Sequence, residues 1–414
     1  MRIGVLTYHC PPNFGAQLQA VSTVGYLRRA GHDVIVLNWY AKDLEEMYAL
    51  RISSEQILSH FQFAQQAFPL SNKCQIEEEL ISTIDSLNLD AIIAGSDALF
   101  KYVPLNKCRH FSKRRLKYIY NYIPLSCERI EGNPFFGDFL RKLHKNIPAA
   151  TYAVSSQNCP FEIMTWKEKS AMRKALSNYC HITVRDAWTK KMIENITETR
   201  GINIFPDPVF SFNKNCFLPI PSKQEILDKY GLTDNYVLYS FSNWHNKEEY
   251  ITAIAEELER QNFLPVALPM PEKLFPSGTK YHINLPLDPL DWYALIIHSK
   301  GFIGERMHPI VVCLHNVIPF FSFDEYGIFE KRGFFSKKQV YNPSSSKTYL
   351  IVSDAGLLKN LHSYKEGLPL PTPQYVVNSI LAFDSAKCKS FASLNQKRYE
   401  NGMKEVLDSL SQYA

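Results

Sequence analysis

The residues of this chain best suited to chemistry sit in four short loops, each lying where an apolar, strand-like run gives way to a polar turn. In GERMHP (304–309), Glu305, Arg306 and His308 fall within four positions, and Pro309 then opens a helix-like segment, as proline does well in a first turn. An arginine and a histidine beside a helix N-terminus make a compact cationic pocket, and histidine is the side chain best suited to donate a proton near neutral pH. His315, seven residues on, lies on the same helix face and reads as packing.

In TVRDAW (183–188), Arg185 projects near a strand end, where it can hold a phosphate or carboxylate bidentately. The competing reading is a structural pair with Asp186, or Asp186 capping the next helix. In GSD (95–97), Ser96 can bond a substrate hydroxyl and Asp97 is a candidate general base. Taken alone, the tripeptide fits a helix N-cap better. In HCPPNFG (9–15), Asn13 and Gly15, with Gln17 just beyond, stand at a turn entering a helix, whose free N–H groups suit an anion or a sugar hydroxyl. No G-x-G-x-x-G or G-K-[ST] accompanies it, so a loop serving geometry alone stays open. Two arginines and a histidine drawn from both halves of the chain suit a small polyanion held in a cleft.

The elements that must position these loops alternate. RIGVLTY reads as a strand, AQLQAVSTVGYLRRAG as a helix with Leu18, Val21, Val24, Tyr26 and Leu27 mostly on one side, and DVIVLNW as a second strand. Residues 41–88 are mainly helical. DAIIAGSD, AATYAVSS, HITVRD and NIFPDPVF follow as further strand-like runs. A polar, proline-containing connector spans 217–235, after which the alternation restarts with YVLYSFS and runs to VIPFFSF. Strands alternating with helices imply a mostly parallel sheet covered on both faces. Seen twice, the pattern implies two such domains facing across a cleft: 1–216, carrying the Arg185 loop, and 236–365, carrying GERMHP. A helical tail, 366–414, is expected to pack back on the first domain.

With 414 residues, 45% hydrophobic and 21% charged, the chain is large enough for two globular domains. A net charge of +5 does not argue for nucleic-acid binding. The basic, aromatic-interleaved run at 107–120 carries no recognition signature and reads as a surface loop, with a peripheral membrane contact through 107–117 as the secondary reading. Nine scattered cysteines without a C-x-x-C pair fit reduced thiols rather than disulfides or zinc. The start MRIGVLTYHC is too weakly basic and apolar for a signal peptide, and no run approaches membrane-spanning length, so a cytoplasmic location is expected.

Laid out in order, these segments resemble the polysaccharide pyruvyl transferase family over most of the chain. The opening strand with its Asn-Phe-Gly-Ala loop and Leu-Gln-Ala helix, DAIIAGSDALF, ATYAVSS, ITVRDAWT, FPDPVF and GFIGERMHPIVVCLHNVIPFFSFDEYG follow in the family's sequence. The resemblance implies an α/β fold of two Rossmann-like domains in a glycosyltransferase-B-like arrangement. It implies phosphoenolpyruvate as donor, a sugar or lipid-linked oligosaccharide as acceptor, and a pyruvate ketal as product, with no cofactor and no metal. Work at the inner membrane surface would follow from a lipid-linked acceptor. Arg185, Arg306 and His308 match the family's donor-binding and catalytic positions, with His308 as candidate acid. Where the family often carries Gln-aromatic-Trp after Gly-Ser-Asp, this chain has Ala98, Leu99 and Phe100, which leaves the acceptor open. The alternatives are a nucleotide-sugar-dependent glycosyltransferase of similar architecture and a glycan-binding relative without catalysis.

Overall fold

The computed structural model describes residues 1–413 apart from 106–108, 113–116, 121–125, 130–131, 242–246, 273–279, 325–326, 333–336, 344–345 and 364–368, with backbone alone at 109–112, 117–120, 129, 327–332 and 337–342. Most of 107–117, the segment carrying the expected membrane contact, therefore lies outside the described residues.

The chain opens β1 (Arg2–Leu6), α1 (Phe14–Arg29), β2 (Asp33–Val36), α2 (Lys42–Ala49), α3 (Ser54–Ala67), α4 (Glu77–Ser86) and β3 (Ala91–Asp97). A hairpin of β4 (Arg109–Ser112) and β5 (Lys117–Tyr120) follows, then β6 (Ala149–Val154), α5 (Trp166–Leu176), β7 (His181–Val184), α6 (Ala187–Thr197) and β8 (Asn203–Ile204). Six of these strands form one parallel sheet in the order β2-β1-β3-β6-β7-β8. All of AIIAGSD and four of the five residues of RIGVL are buried, as expected of strands covered on both faces.

After α7 (Phe212–Asn215) the connector holds its own helix, α8 (Lys223–Tyr230), opened by a Ser222–Glu225 capping box. The second half runs β9 (Tyr236–Ser240), α9 (Glu248–Arg260), β10 (Leu264–Ala267), α10 (Pro289–Ile297), β11 (Phe302–Gly304), α11 (Met307–Asn316), β12 (Phe320–Asp324), the hairpin β13 (Gly327–Arg332) and β14 (Lys337–Asn342), α12 (Lys347–Asp354) and β15 (Leu361–Ser363). Its sheet is parallel, in the order β10-β9-β11-β12-β15. The chain ends in α13 (Pro373–Leu381) and the long α14 (Ser385–Ser411).

Helix α1 is buried nearly all round, polar Gln17, Gln19, Ser22 and Thr23 included. The cause is double cover: it packs on the first sheet, while Phe14 stacks on Trp292 of α10, ring centres 5.3 Å apart. Gln56 of α3 ties the halves further, its amide exchanging hydrogen bonds with the Leu287 backbone (2.9 and 2.7 Å). Helix α14 crosses back to the first sheet, setting Tyr399 edge-on to Tyr152 (5.4 Å) and Glu405 against His181 and Asn203. Among the described residues no helix is long and apolar enough to cross a membrane.

Candidate functional site

Each sheet has a switch point where consecutive crossovers leave in opposite directions: between β1 and β3 in the first sheet, and between β9 and β11 in the second. Parallel sheets bind ligands beyond the carboxyl ends of the strands at such points. Here a cleft of about 470 Å3 is lined from both, by Asn13, Gly15 and Asp97 on one side and by Glu305, Arg306 and His308 on the other. The lining thus joins HCPPNFG and GSD, from the first half of the chain, to GERMHP, from the second.

On the second wall, Glu305 is buried and its N–H bonds the Ser240 carbonyl (3.1 Å). Arg306 precedes α11 at φ +71°, a sparsely populated conformation for a side-chain-bearing residue, and points outward to pair with Glu272 (3.2 Å). His308 lies half-buried in the first turn of α11, and its Nε2 is buried without a hydrogen-bond partner. Burial pushes this imidazole down to about 4; Asp97 and Asp207 act against the shift, and Lys347 and Arg185 add to it. It is therefore neutral at pH 7. Lys347 opens α12 behind the Ser346 cap and also lines the cleft. Burial, reinforced by Arg185, lowers its ammonium to about 8, against the pull of Asp97, Asp207 and Asp186.

On the first wall, Asp97 ends β3 at φ +88°. No helix follows it, so the N-cap reading is replaced: its Oδ1 accepts instead from the next N–H, Ala98, at 2.7 Å. Burial favours the protonated acid, but His308, Lys347, Arg185 and the Ala98 N–H outweigh it and hold the carboxyl below its ordinary value. Arg185 is buried beneath the cleft rather than on its surface. Its partner is Asp207 (Nη1 to Oδ2, 2.9 Å), with Asp97 at 3.8 Å; Asp186 caps α6 instead, accepting from Thr189 N–H (2.7 Å). Nε and Nη2 of Arg185 have no hydrogen-bond partner.

Two residues read from sequence as loop candidates turn away from the cleft. The Gln17 amide is spent on the His9 and His60 carbonyls (3.0 and 2.9 Å) and on His60 Nδ1 (2.7 Å). Ser96 donates to the Ala153 carbonyl (2.9 Å). Asn13 lines the cleft while capping α1 through Ala16 N–H (3.2 Å). His315 packs edge-on to Phe210. Sequence reading missed Lys347, which sits in a serine-rich stretch, and Asp207, the true partner of Arg185. The sole sequence signal for the latter is that FPDPVF follows the next short strand.

The arrangement gathers cations around a cavity that both switch points share, with a buried carboxylate facing a neutral histidine. The family model of polysaccharide pyruvyl transferases matches residues 13–325. The chain belongs to this family. Membership places it among transferases acting on polysaccharide. No curated protein sequence matches it. Among solved structures it resembles UDP-N-acetylglucosamine 2-epimerase from Rickettsia bellii, at 10% identity over 99% of this chain and 97% of the other, TM-score 0.52. It also resembles UDP-GlcNAc 2-epimerase from Methanocaldococcus jannaschii, at 7% identity over 92% of each chain, TM-score 0.50. At such identities the likeness speaks for fold alone, and the fold is the glycosyltransferase-B-like pair of parallel α/β units.

Proposed function

We propose that this pyruvyl transferase family member moves the pyruvate unit of phosphoenolpyruvate onto a sugar of a surface polysaccharide or its precursor, forming a pyruvate ketal. The observation that carries the reading is the convergence of Arg306, His308 and Lys347 on one cleft, with Arg185 beneath it. Phosphoenolpyruvate presents a phosphate and a carboxylate, and separated cations fix both ends at once.

In the first step a sugar hydroxyl adds to C2 while a proton goes to the methylene carbon, which becomes the methyl group. In the second, phosphate leaves C2 with its bond electrons, and a neighbouring hydroxyl attacks the oxocarbenium centre to close the ketal. Each hydroxyl gives up one proton. One balances the proton taken by the methyl group and the other leaves with phosphate or solvent. His308 is the proton donor, and Asp97 receives a hydroxyl proton directly or supports the imidazolium.

A neutral imidazole must first take up a proton; burial is the chief opposition to that uptake, and the negative charge of an arriving polyanion favours it, offsetting Lys347 and Arg185. Tyr8, Tyr48, Gln157 and Asn158 line the remaining wall and form the acceptor side. The acceptor is a sugar or a lipid-linked oligosaccharide, met on the cytoplasmic side.

Calorimetric titration with phosphoenolpyruvate, beside a panel of nucleotide sugars, tests the donor. Saturable phosphoenolpyruvate binding that Arg306→Ala weakens is expected. Binding of a nucleotide sugar with phosphoenolpyruvate silent would instead make the chain a glycosyltransferase.

A further inference from the structure

His308 belongs to α11 of the second half, yet the surface on which its ring rests belongs to the first. A Cβ added to Gly15, in the first turn of α1, would lie 2.0 Å from His308 Cγ, 2.3 Å from Nδ1 and 2.4 Å from Cβ. Carbon atoms meet comfortably at about 3.5–4.0 Å, so every one of these contacts is an overlap. Because the His308 Cβ is among them, turning the ring to another rotamer does not remove the conflict. The first turns of α1 and α11 themselves must move apart.

Backbone conformation does not explain this glycine. Gly15 is helical, without the positive φ that marks Gly31, Gly95 or Gly231, and glycine is a poor helix former. Gly25, the other glycine of α1, has a different explanation: a Cβ there would strike the Asn215 carbonyl oxygen at 1.9 Å, so it serves the close approach of α7. Among the described glycines, only at Gly15 is the space filled by a side chain facing the cleft. The same wall supplies Asp97, whose charge acts on the imidazole from the first half of the chain.

We propose that Gly15 is a positioning residue for His308, its bare Cα forming the seat that fixes the imidazole over the cleft from the opposite domain. This rests on the reading of His308 as proton donor, and it makes the orientation of that donor a property of the fit between the two halves. The groups facing the ring are Asp97 and Asp207, Arg185 and Lys347, so displacement changes its electrostatic surroundings as well as its position.

The test is Gly15→Ala in the full chain, with and without His308→Gly. In the single variant, turnover is expected to fall at least tenfold with little change in phosphoenolpyruvate KM. The His308 imidazole resonance, followed by NMR, should titrate above its wild-type midpoint as the ring leaves its buried seat. In the His308→Gly background the same alanine should cost far less melting temperature, because the three atoms nearest the new Cβ are all removed. An unchanged imidazole titration, or an equal loss of melting temperature in both backgrounds, overturns the proposal. Should Gly15→Ala alone fail to fold, recovery of a folded protein in the Gly15→Ala/His308→Gly pair supports it and failure of the pair overturns it. Titration and melting need no substrate, whereas absence of phosphoenolpyruvate turnover in the unaltered protein would sink the donor assignment alone.

Discussion

The two walls of the cleft differ in how far their polar groups are tied to one another. Polar groups of the first wall are buried and largely bonded to one another: Gln17 to His9 and His60, Ser96 to Ala153, Arg185 to Asp207, and Asp207 in turn to Gln19 and Val209. On the second wall Arg306 is exposed with its Glu272 ion pair, and His308 Nε2 has no partner. A satisfied buried network resists recruitment by substrate, since each bond broken strands a desolvated group. An under-satisfied group gains a partner when ligand arrives. On the proposed function, the first wall sets positions and the second does the chemistry, with Arg185, two of its nitrogens unpartnered, as the first wall's own reach toward the donor.

The sharpest way to break this division is at His308. His308→Asn should lower turnover by about 10^2–10^4 while leaving donor affinity nearly intact, read from steady-state kinetics and calorimetry together. Equal loss of both would make His308 a binding residue. Next is Asp207→Ala, which strands the buried Arg185 guanidinium and should cost about 3–5 kcal/mol in urea unfolding. A milder loss would mean that Arg185 is already satisfied elsewhere, and the first wall would be less of a scaffold than described.

Lys347→Ala should weaken phosphoenolpyruvate binding by about 1.5–3 kcal/mol, roughly 10- to 150-fold in Kd. Arg306→Ala belongs at the lower end, because its ion pair with Glu272 must be given up first. The reverse ranking would move the donor toward the cleft mouth. A separate effect, on stability, concerns acid. His60, His308 and His315 are lowered by burial to about 3, 4 and 4, so between these values and their ordinary 6.5 the unfolded chain binds more protons than the folded one. Stability should thus rise with pH across that window and fall as pH drops from 6.5 toward 4, by up to about 1.4 kcal/mol per pH unit per histidine. His308→Asn should flatten the slope of melting temperature against pH. Smallest is Ser96→Ala, about 1 kcal/mol of stability for one hydrogen bond.

Much of this was legible in the sequence because parallel strands buried on both faces leave unbroken apolar runs such as AIIAGSD and YVLYS. Asp97 closes the first of these, and Arg306 and His308 follow the short strand β11; the fold does bring all three to one cleft. Less legible was anything set by tertiary cover. Gln17 looked like a loop residue, but α1 is sandwiched between the two halves and turns it inward. The sequence left Asp186 as either the partner of Arg185 or a helix cap, and its backbone position commits it to capping α6. Lys347 arrives 39 positions after His308, past the β13–β14 hairpin, and no local pattern announces it. The hairpins themselves, lying outside both parallel sheets, carry no alternation with helices and were not anticipated.

The central claim is that phosphoenolpyruvate enters this cleft and meets an imidazole that becomes the acid. Its most direct test is calorimetry of phosphoenolpyruvate binding at pH 7 in two buffers of different ionisation enthalpy. Saturable binding with proton uptake is expected, the uptake vanishing in His308→Asn. Silence toward phosphoenolpyruvate, or uptake that His308→Asn leaves unchanged, would contradict it.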